Sequence, residues 1–147
     1  MCGAIQLQDI KVFFPHPKAK LPIRKRDGDL EWVTWGKRRE EECAFPEGGW
    51  ARLSSIRDGR WARFQPRPVQ IMVHRFMEKN PDGERVWFDL EDGQFIQGLL
   101  ATINGEQRVY VVTQEAPPET LEIHPRWPRI LGRGEVDSEM DSETAQA

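Results

Sequence analysis

The sequence is poor in residues that build disulfide or metal-bound scaffolds. Its 147 residues include only two cysteines, Cys2 and Cys43, and three histidines, His16, His74 and His124. Two cysteines are too few for a disulfide framework, and the histidines lie far apart, with no ligand spacing such as Cys-x-x-Cys. We therefore expect reduced thiols, no bound metal and no cofactor.

Long apolar runs are also missing. No stretch approaches the roughly 18 consecutive apolar residues of a membrane-spanning helix, and the first residues lack the basic and apolar regions of a secretory signal. Tyrosine occurs once, but six tryptophans and seven phenylalanines supply material for a core. These features predict a cytoplasmic protein, with no membrane partner, that folds as one domain.

The charges are unevenly spread around a net charge of −3, which by itself argues against a nucleic-acid partner. Residues 132–147 contain five acidic side chains beside Arg133, so we expect a folded domain over 1–131 and a disordered acidic tail over 132–147. Residues 49–79 carry seven basic side chains against Asp58 and Glu78. That excess fits a phosphate-binding face and, equally, a solvated surface of ordinary ion pairs.

Alternation of apolar and polar residues dominates the chain after Val69 and predicts an antiparallel meander of four strands. These strands are predicted at 70–76, 85–90, 95–102 and 108–113, with turns at 80–83, 91–93 and Asn104-Gly105. Shorter strands are predicted at 5–7, 11–14 and 30–35, a helix at 37–43, a helical turn at 119–123 and a loop at 124–128. The pattern indicates an α+β fold in which antiparallel β-structure predominates.

Cys2 is the first candidate for chemistry. If Met1 is removed, the chain begins with an α-amine and a thiol on one residue, and a useful fraction of such an amine is unprotonated at neutral pH. The amine can form a Schiff base with an aldehyde, and the adjacent thiol can then close a five-membered thiazolidine ring. Taken alone, a cysteine at position 2 is more often an incidental thiol.

Glu78 and His124 are the candidate proton carriers. In an alternating strand Glu78 lies on the same side as Phe76 and His74, and burial would raise its pKa; the alternative is an exposed acid paired with Lys79. His124 titrates near neutrality and lies before a rigid Pro-bounded loop; the alternative is a solvent-exposed histidine. In the same loop Arg126 could bind phosphate, and Trp127 could stack on an unpaired base.

The order of these residues resembles the SRAP family (SOS response-associated peptidase family) over most of residues 1–131. The resemblance is carried by Met1-Cys2-Gly3, Trp35-Gly36, Ala51-Arg52, Arg67-Pro68-Val69-Gln70, Phe76-Met77-Glu78, Gly98-Leu99, Val111-Val112-Thr113 and His124-Pro125-Arg126-Trp127-Pro128. The two ends match specifically, and the middle matches more loosely.

The resemblance implies a curved or barrel-like sheet around a DNA-binding cleft, and a role in the SOS response to DNA damage. It implies that Cys2 forms a thiazolidine crosslink to an abasic site in single-stranded DNA, with Glu78 as the acid–base group and His124 assisting. DNA binding would fall to the following residues, in a protein that acts as a monomer: Trp50, Arg52, Arg67, Arg126 and Trp127.

The chain departs from the family pattern at three places. Ala4 replaces an arginine, Trp50 an asparagine and Ser54 a glutamate, which removes polar contacts to DNA. Two other functions therefore stay open. One is a cysteine peptidase or autopeptidase, in which Cys2 and His124 form a thiolate–imidazolium pair. The other is a non-catalytic module that binds single-stranded nucleic acid.

Overall fold

The computed structural model describes residues 2–132, and these contain twelve strands and one short α-helix. The strands are β1 (Ala4–Leu7), β2 (Ile10–Phe13), β3 (Lys20–Arg24), β4 (Leu30–Thr34), β5 (Trp50–Arg52), β6 (Arg67–Ile71), β7 (Arg75–Lys79), β8 (Arg85–Asp89), β9 (Gln94–Ile103), β10 (Glu106–Glu115), β11 (Arg126–Pro128) and β12 (Ile130–Gly132). Helix α1 spans Leu53–Arg57, and 3-10 turns lie at Ala62–Phe64 and Pro118–Thr120. The expected acidic tail, apart from Gly132, lies outside the described residues.

The strands form two sheets. The small sheet has the order β2-β1-β7-β8, and the large sheet has the order β11-β10-β9-β6-β3-β4, with β12 beside β9 and β5 beside β10. All pairs are antiparallel except β5 with β10, which is parallel. The expectation of a mainly antiparallel β-fold with little helix is confirmed.

Strands β9 and β10 form the centre of the large sheet and are buried on both faces. Along β10, Val109 and Val111 belong to the core between the two sheets. Tyr110 and Val112 belong to a second core that includes Leu53 and Ile56 of α1. A strand buried on both sides reads as an almost continuous apolar run, as β10 does. The core between the sheets also holds Cys2.

The turn between β9 and β10 is the hairpin that the sequence predicts. Asn104 and Gly105 have φ angles of 48° and 84°, the left-handed region that a two-residue type I′ turn requires at both positions. Glycine adopts that region freely and asparagine tolerates it. This turn sets a register in which Glu106 faces Ile103 and Val111 faces Gly98.

The predicted four-stranded meander is wrong. The run 70–76 is divided between β6 and β7, which belong to different sheets, with the change of direction at residues 72–74. Strands β7 and β8 then form one hairpin in the small sheet, while β9 and β10 form another in the large sheet. The turn at 91–93 therefore connects two sheets instead of two paired strands.

The predicted helix at 37–43 is also wrong, because that segment is a loop. It has no apolar face to hold a helix on the core, and its side chains make tertiary contacts instead. Arg38 is buried over the ring of Phe14, and Glu41 binds Arg108. The predicted loop at 124–128 is a strand in its second half, because β11 pairs with the end of β10.

Among residues 2–132, no helix is both long enough and apolar enough to cross a membrane.

Candidate active site

Strand β1 places Cys2 beside β7. The two strands are antiparallel, with Ala4 facing Met77, and the Gly3 amide donates a hydrogen bond of 3.0 Å to the Met77 carbonyl. This register brings the start of β1 next to Glu78. The Cys2 side chain is 0% exposed, and its Sγ lies 3.4 Å from the Ala4 carbonyl, to which it donates.

Glu78 is the fully buried carboxyl group of this region. It shares a strand face with Phe76, whose ring is in the core, and its own side chain is 0% exposed. Removal from water raises the pKa of Glu78 to about 7, since burial disfavours the charged form. The alternative reading of Glu78 as an exposed acid paired with Lys79 is therefore wrong.

The expectation that His74 shares the face of Glu78 is wrong as well. Strand β7 begins at Arg75, so His74 precedes the alternation, and its side chain is exposed. Its Nδ1 accepts a hydrogen bond of 3.0 Å from the amide of Gln8 in the turn between β1 and β2. His74 thus supports that turn and lies on the surface.

The pKa of the Cys2 thiol is shifted by the same surroundings. Burial raises its pKa, and the negative charge of Glu78 raises it further, which means that the two groups lie within electrostatic reach of each other. The thiol is therefore protonated at neutral pH unless a neighbouring base accepts its proton. Glu78 is the acidic group whose charge acts on that thiol.

Trp50 contacts Cys2 directly, a role that the sequence does not indicate. Its indole Nε1 donates a hydrogen bond of 2.7 Å to the Cys2 carbonyl. Its ring packs edge-on against Phe14 at 5.1 Å, and its backbone is fixed by parallel pairing with Val111 in β10. Trp50 therefore holds the backbone of the candidate nucleophile.

Arg52 and Arg126 lie close together on β5 and β11, two of the strands that pair with β10. Arg52 in β5 faces Thr113, and the Arg126 Nη2 donates a hydrogen bond of 3.1 Å to the hydroxyl of that same threonine. Burial lowers the pKa of Arg126, and the positive charge of Arg52 lowers it further. Two guanidinium groups held near each other favour an anion between them, because it relieves their repulsion.

His124 precedes β11 and is half-buried. Its Nδ1 lies 3.0 Å from the Arg126 amide and 3.1 Å from the Arg126 carbonyl, so it accepts from the first or donates to the second according to the tautomer. Burial lowers the pKa of His124, which favours the neutral ring at pH 7. Strand β11 lies against β7, since the rings of Phe76 and Trp127 are 5.3 Å apart.

Two of the expected DNA-binding residues do not belong to the candidate active site, namely Trp127 and Arg67. Trp127 is 6% exposed and packs against Phe76 and Phe88, so the expectation that its ring is available for an unpaired base is wrong. Arg67 is exposed but lines a separate cleft whose lining includes neither Cys2 nor Glu78. The structure therefore brings together Cys2, Glu78 and Trp50, and it places Arg52 beside Arg126.

No group of three histidine, cysteine or acidic side chains within residues 2–132 is arranged to hold a metal ion. No protein-family model matches the chain, and comparison with curated proteins finds no match either.

Proposed function

We propose that the protein, after loss of Met1, uses Cys2 to capture the aldehyde of an abasic site in single-stranded DNA as a thiazolidine crosslink that shields the lesion. The proposal extends the SRAP resemblance of the sequence to the site described above. The single observation that supports it most is the pairing of β1 with β7, which sets Cys2 next to Glu78.

The chemistry needs a group that both gives and takes a proton. The Cys2 amine adds to the aldehyde carbon, and the carbinol hydroxyl leaves as water to form an imine. The thiol then adds across the C=N bond, its sulfur bonding to carbon while its proton passes to nitrogen. With a pKa of about 7, Glu78 can protonate the leaving hydroxyl and can accept the thiol proton.

The surrounding residues suit a DNA strand that carries an abasic sugar. Arg52 and Arg126 offer paired guanidinium groups to a backbone phosphate. Trp50 fixes the carbonyl of Cys2, so the amine and the thiol keep one orientation towards the sugar. The His124 ring, whose neutral form is favoured by burial, can exchange a proton to assist ring opening of the sugar.

Removal of Met1 is the necessary first step. While Met1 is attached, the Cys2 nitrogen is an amide and cannot attack an aldehyde, and Cys2 is fully buried. The peptidase alternative receives less support. It needs a thiolate–imidazolium pair, whereas burial raises the pKa of Cys2 and lowers that of His124, and both shifts favour the neutral forms.

The test is intact-mass analysis of chain that begins at Cys2, incubated with a single-stranded oligonucleotide containing one abasic site. We expect an adduct equal to protein plus oligonucleotide minus one water, stable without borohydride reduction. Cys2→Ser should leave only an imine that requires reduction to survive. Cys43→Ser is the matched control, because Cys43 is the exposed thiol and should not affect the adduct.

Two further samples sharpen the test. Glu78→Gln should slow adduct formation by about 10²- to 10⁴-fold, the usual contribution of a positioned acid–base group. Protein that retains Met1 should form no thiazolidine. A stable adduct of equal yield from the Cys2→Ser chain would contradict the proposal, because the Cys2 thiol would then not be needed for the stable product. Undamaged DNA bound equally well by all variants, with no adduct, would favour the non-catalytic binding module.

A further inference from the structure

A cleft lies where β3 and β6 separate in the large sheet. Strands β3 and β6 pair at one residue position, Ile23 with Ile71. Beyond this pair, β3 continues to Arg24, and β6 leads back towards Pro66. The cleft has a volume of about 880 Å³ and is lined by residues of β3, β6 and β9 and the segments next to them. Small-ligand sites fall in the range of about 300–1,000 Å³.

The charge of the cleft is positive. Four basic side chains and one acidic side chain line it, namely Arg24, Lys25, Arg26, Arg67 and Glu31. Lys25 already has an acidic partner, because it forms a loose 4.0 Å ion pair with Asp27 in the adjoining turn. The three arginines, Arg24, Arg26 and Arg67, are exposed to solvent and available to an anionic ligand.

Gln97 gives the cleft a specific polar group. This residue of β9 lines the cleft and is only 2% exposed. Its Oε1 atom is buried and accepts no hydrogen bond from residues 2–132. A buried acceptor without a donor is unfavourable, so a ligand that supplies an N–H to this oxygen gains by binding here.

Apolar side chains complete the lining. Pro66, Pro68 and Leu100 border the cleft together with the buried ring of Phe95. A ligand that fits has an anionic group for the arginines, a flat apolar body for these residues and an amino group for Gln97. A phosphate, a nucleobase ring and its exocyclic amine meet those three requirements in one molecule.

We propose that this cleft binds a nucleotide, with the phosphate at Arg24, Arg26 and Arg67 and the base amine at Gln97 Oε1. The site does not include Cys2, so it does not depend on crosslink chemistry. The same chemistry is offered by a free nucleotide and by one unit of an undamaged strand, and affinity measurements distinguish these sources.

The experiment uses the full chain carrying Cys2→Ser, so that no thiazolidine forms and a failure of the crosslinking proposal leaves the result unchanged. Calorimetry with dAMP, deoxyribose 5-phosphate and inorganic phosphate is compared with fluorescence anisotropy of a labelled oligo(dA). We expect dAMP to bind more tightly than either phosphate probe. Oligo(dA) at least ten-fold tighter than dAMP identifies a strand as the ligand, and equal affinity identifies a free nucleotide.

Three variants locate the site. Gln97→Leu should weaken dAMP binding by about 3- to 10-fold, as expected for one lost hydrogen bond. Arg67→Gln should weaken dAMP and oligo(dA) together and reduce the salt dependence of oligo(dA) binding by about one charge. Arg60→Gln is the matched control, because Arg60 is exposed and lies outside the cleft, and it should have little effect.

Two results would overturn the proposal. Equal losses from Arg60→Gln and Arg67→Gln would show diffuse surface attraction instead of a site. Deoxyribose 5-phosphate binding as tightly as dAMP, or full affinity in Gln97→Leu, would show that no base is recognised. Arg67 is on the surface, so its variant remains informative even if Gln97→Leu fails to fold.

Discussion

Two buried ionisable residues, Arg108 and Glu78, differ sharply in how the fold treats their charge. Arg108 donates to Glu41 at 2.9 Å, to Glu106 at 2.8 Å and to the Gly36 carbonyl at 3.0 Å. Its guanidinium lies over the ring of Phe45. Burial by itself lowers the pKa of Arg108, but the hydrogen bonds with Glu106 and Glu41 outweigh it, and the pKa is raised.

Glu78 shows the opposite response. Burial shifts its pKa towards the neutral form, to about 7, so the group exchanges its proton near physiological pH. A buried charge compensated on every side is a structural element, whereas a buried acid held near neutrality is suited to proton transfer. The comparison separates the part of the molecule that maintains the fold from the part that we expect to perform chemistry.

The largest loss of stability is expected when Arg108, whose charge Glu41 and Glu106 compensate, is replaced. Arg108→Met should lower the free energy of unfolding by about 3–4 kcal/mol, because Glu41 and the Gly36 carbonyl lose their shared partner inside the protein. Urea unfolding at pH 7 measures it, with the exposed Arg60→Met as control and an expected change below about 0.5 kcal/mol. Similar losses from both variants would mean that the network around Arg108 contributes nothing.

Glu78→Gln should change the pH dependence of stability. The folded pKa of Glu78 is raised from 4.5 to about 7, so its stabilising contribution is full below 4.5 and is lost as pH rises through 7. That loss amounts to about 3 kcal/mol. Unfolding from pH 4 to 9 should show it in the wild type and not in Glu78→Gln, while the exposed Glu119→Gln retains it. A parallel pH profile for all three proteins would place Glu78 in contact with water.

Trp50→Phe tests how firmly the start of the chain is held. The change removes the hydrogen bond to the Cys2 carbonyl while keeping an aromatic ring beside Phe14, and should cost about 1 kcal/mol. Hydrogen exchange of the Gly3 amide should accelerate by about ten-fold. Trp87→Phe in the small sheet is the control, and an unchanged exchange rate at Gly3 in Trp50→Phe would remove Trp50 from the site.

The smallest effect is expected at Glu106, whose side chain is 56% exposed although it binds Arg108. Glu106→Gln should cost at most about 1 kcal/mol, because an exposed partner keeps its solvation and Glu41 still compensates Arg108. Double-mutant cycles of Glu106 and Glu41 against Arg108 measure the two couplings. A coupling for Glu106 as large as that for Glu41 would mean that exposure does not decide the outcome.

The sequence predicts local structure better than it predicts sheet membership. The Asn104-Gly105 turn has its own backbone requirement and was recognisable without knowledge of distant residues. The division of 70–76 between two sheets has no such signal, because alternation is the same whichever strand pairs with it. The turn signal at 91–93 likewise predicts that the chain reverses, but it does not predict which sheet the next strand joins.

The candidate site shows the same limit. The order of motifs selects Cys2, Glu78 and His124 as candidates. The contact of Cys2 with Trp50 carries no such signal, because it spans 48 positions and arises from the parallel pairing of β5 with β10. Trp127 was misjudged for a related reason. An aromatic residue next to an arginine looks like a base-stacking pair, yet alternation along β11 points one side chain into the core.

The pairing of β1 with β7 also makes burial of Cys2 a question of timing. Strand β7 begins at Arg75, so on a ribosome adding about 5–20 residues per second it emerges roughly 4–15 s after Cys2. Throughout that interval the nascent chain has no β7 with which to enclose its start. We therefore expect enzymes that trim the first methionine to act on the growing polypeptide, while the start of β1 is still unpaired.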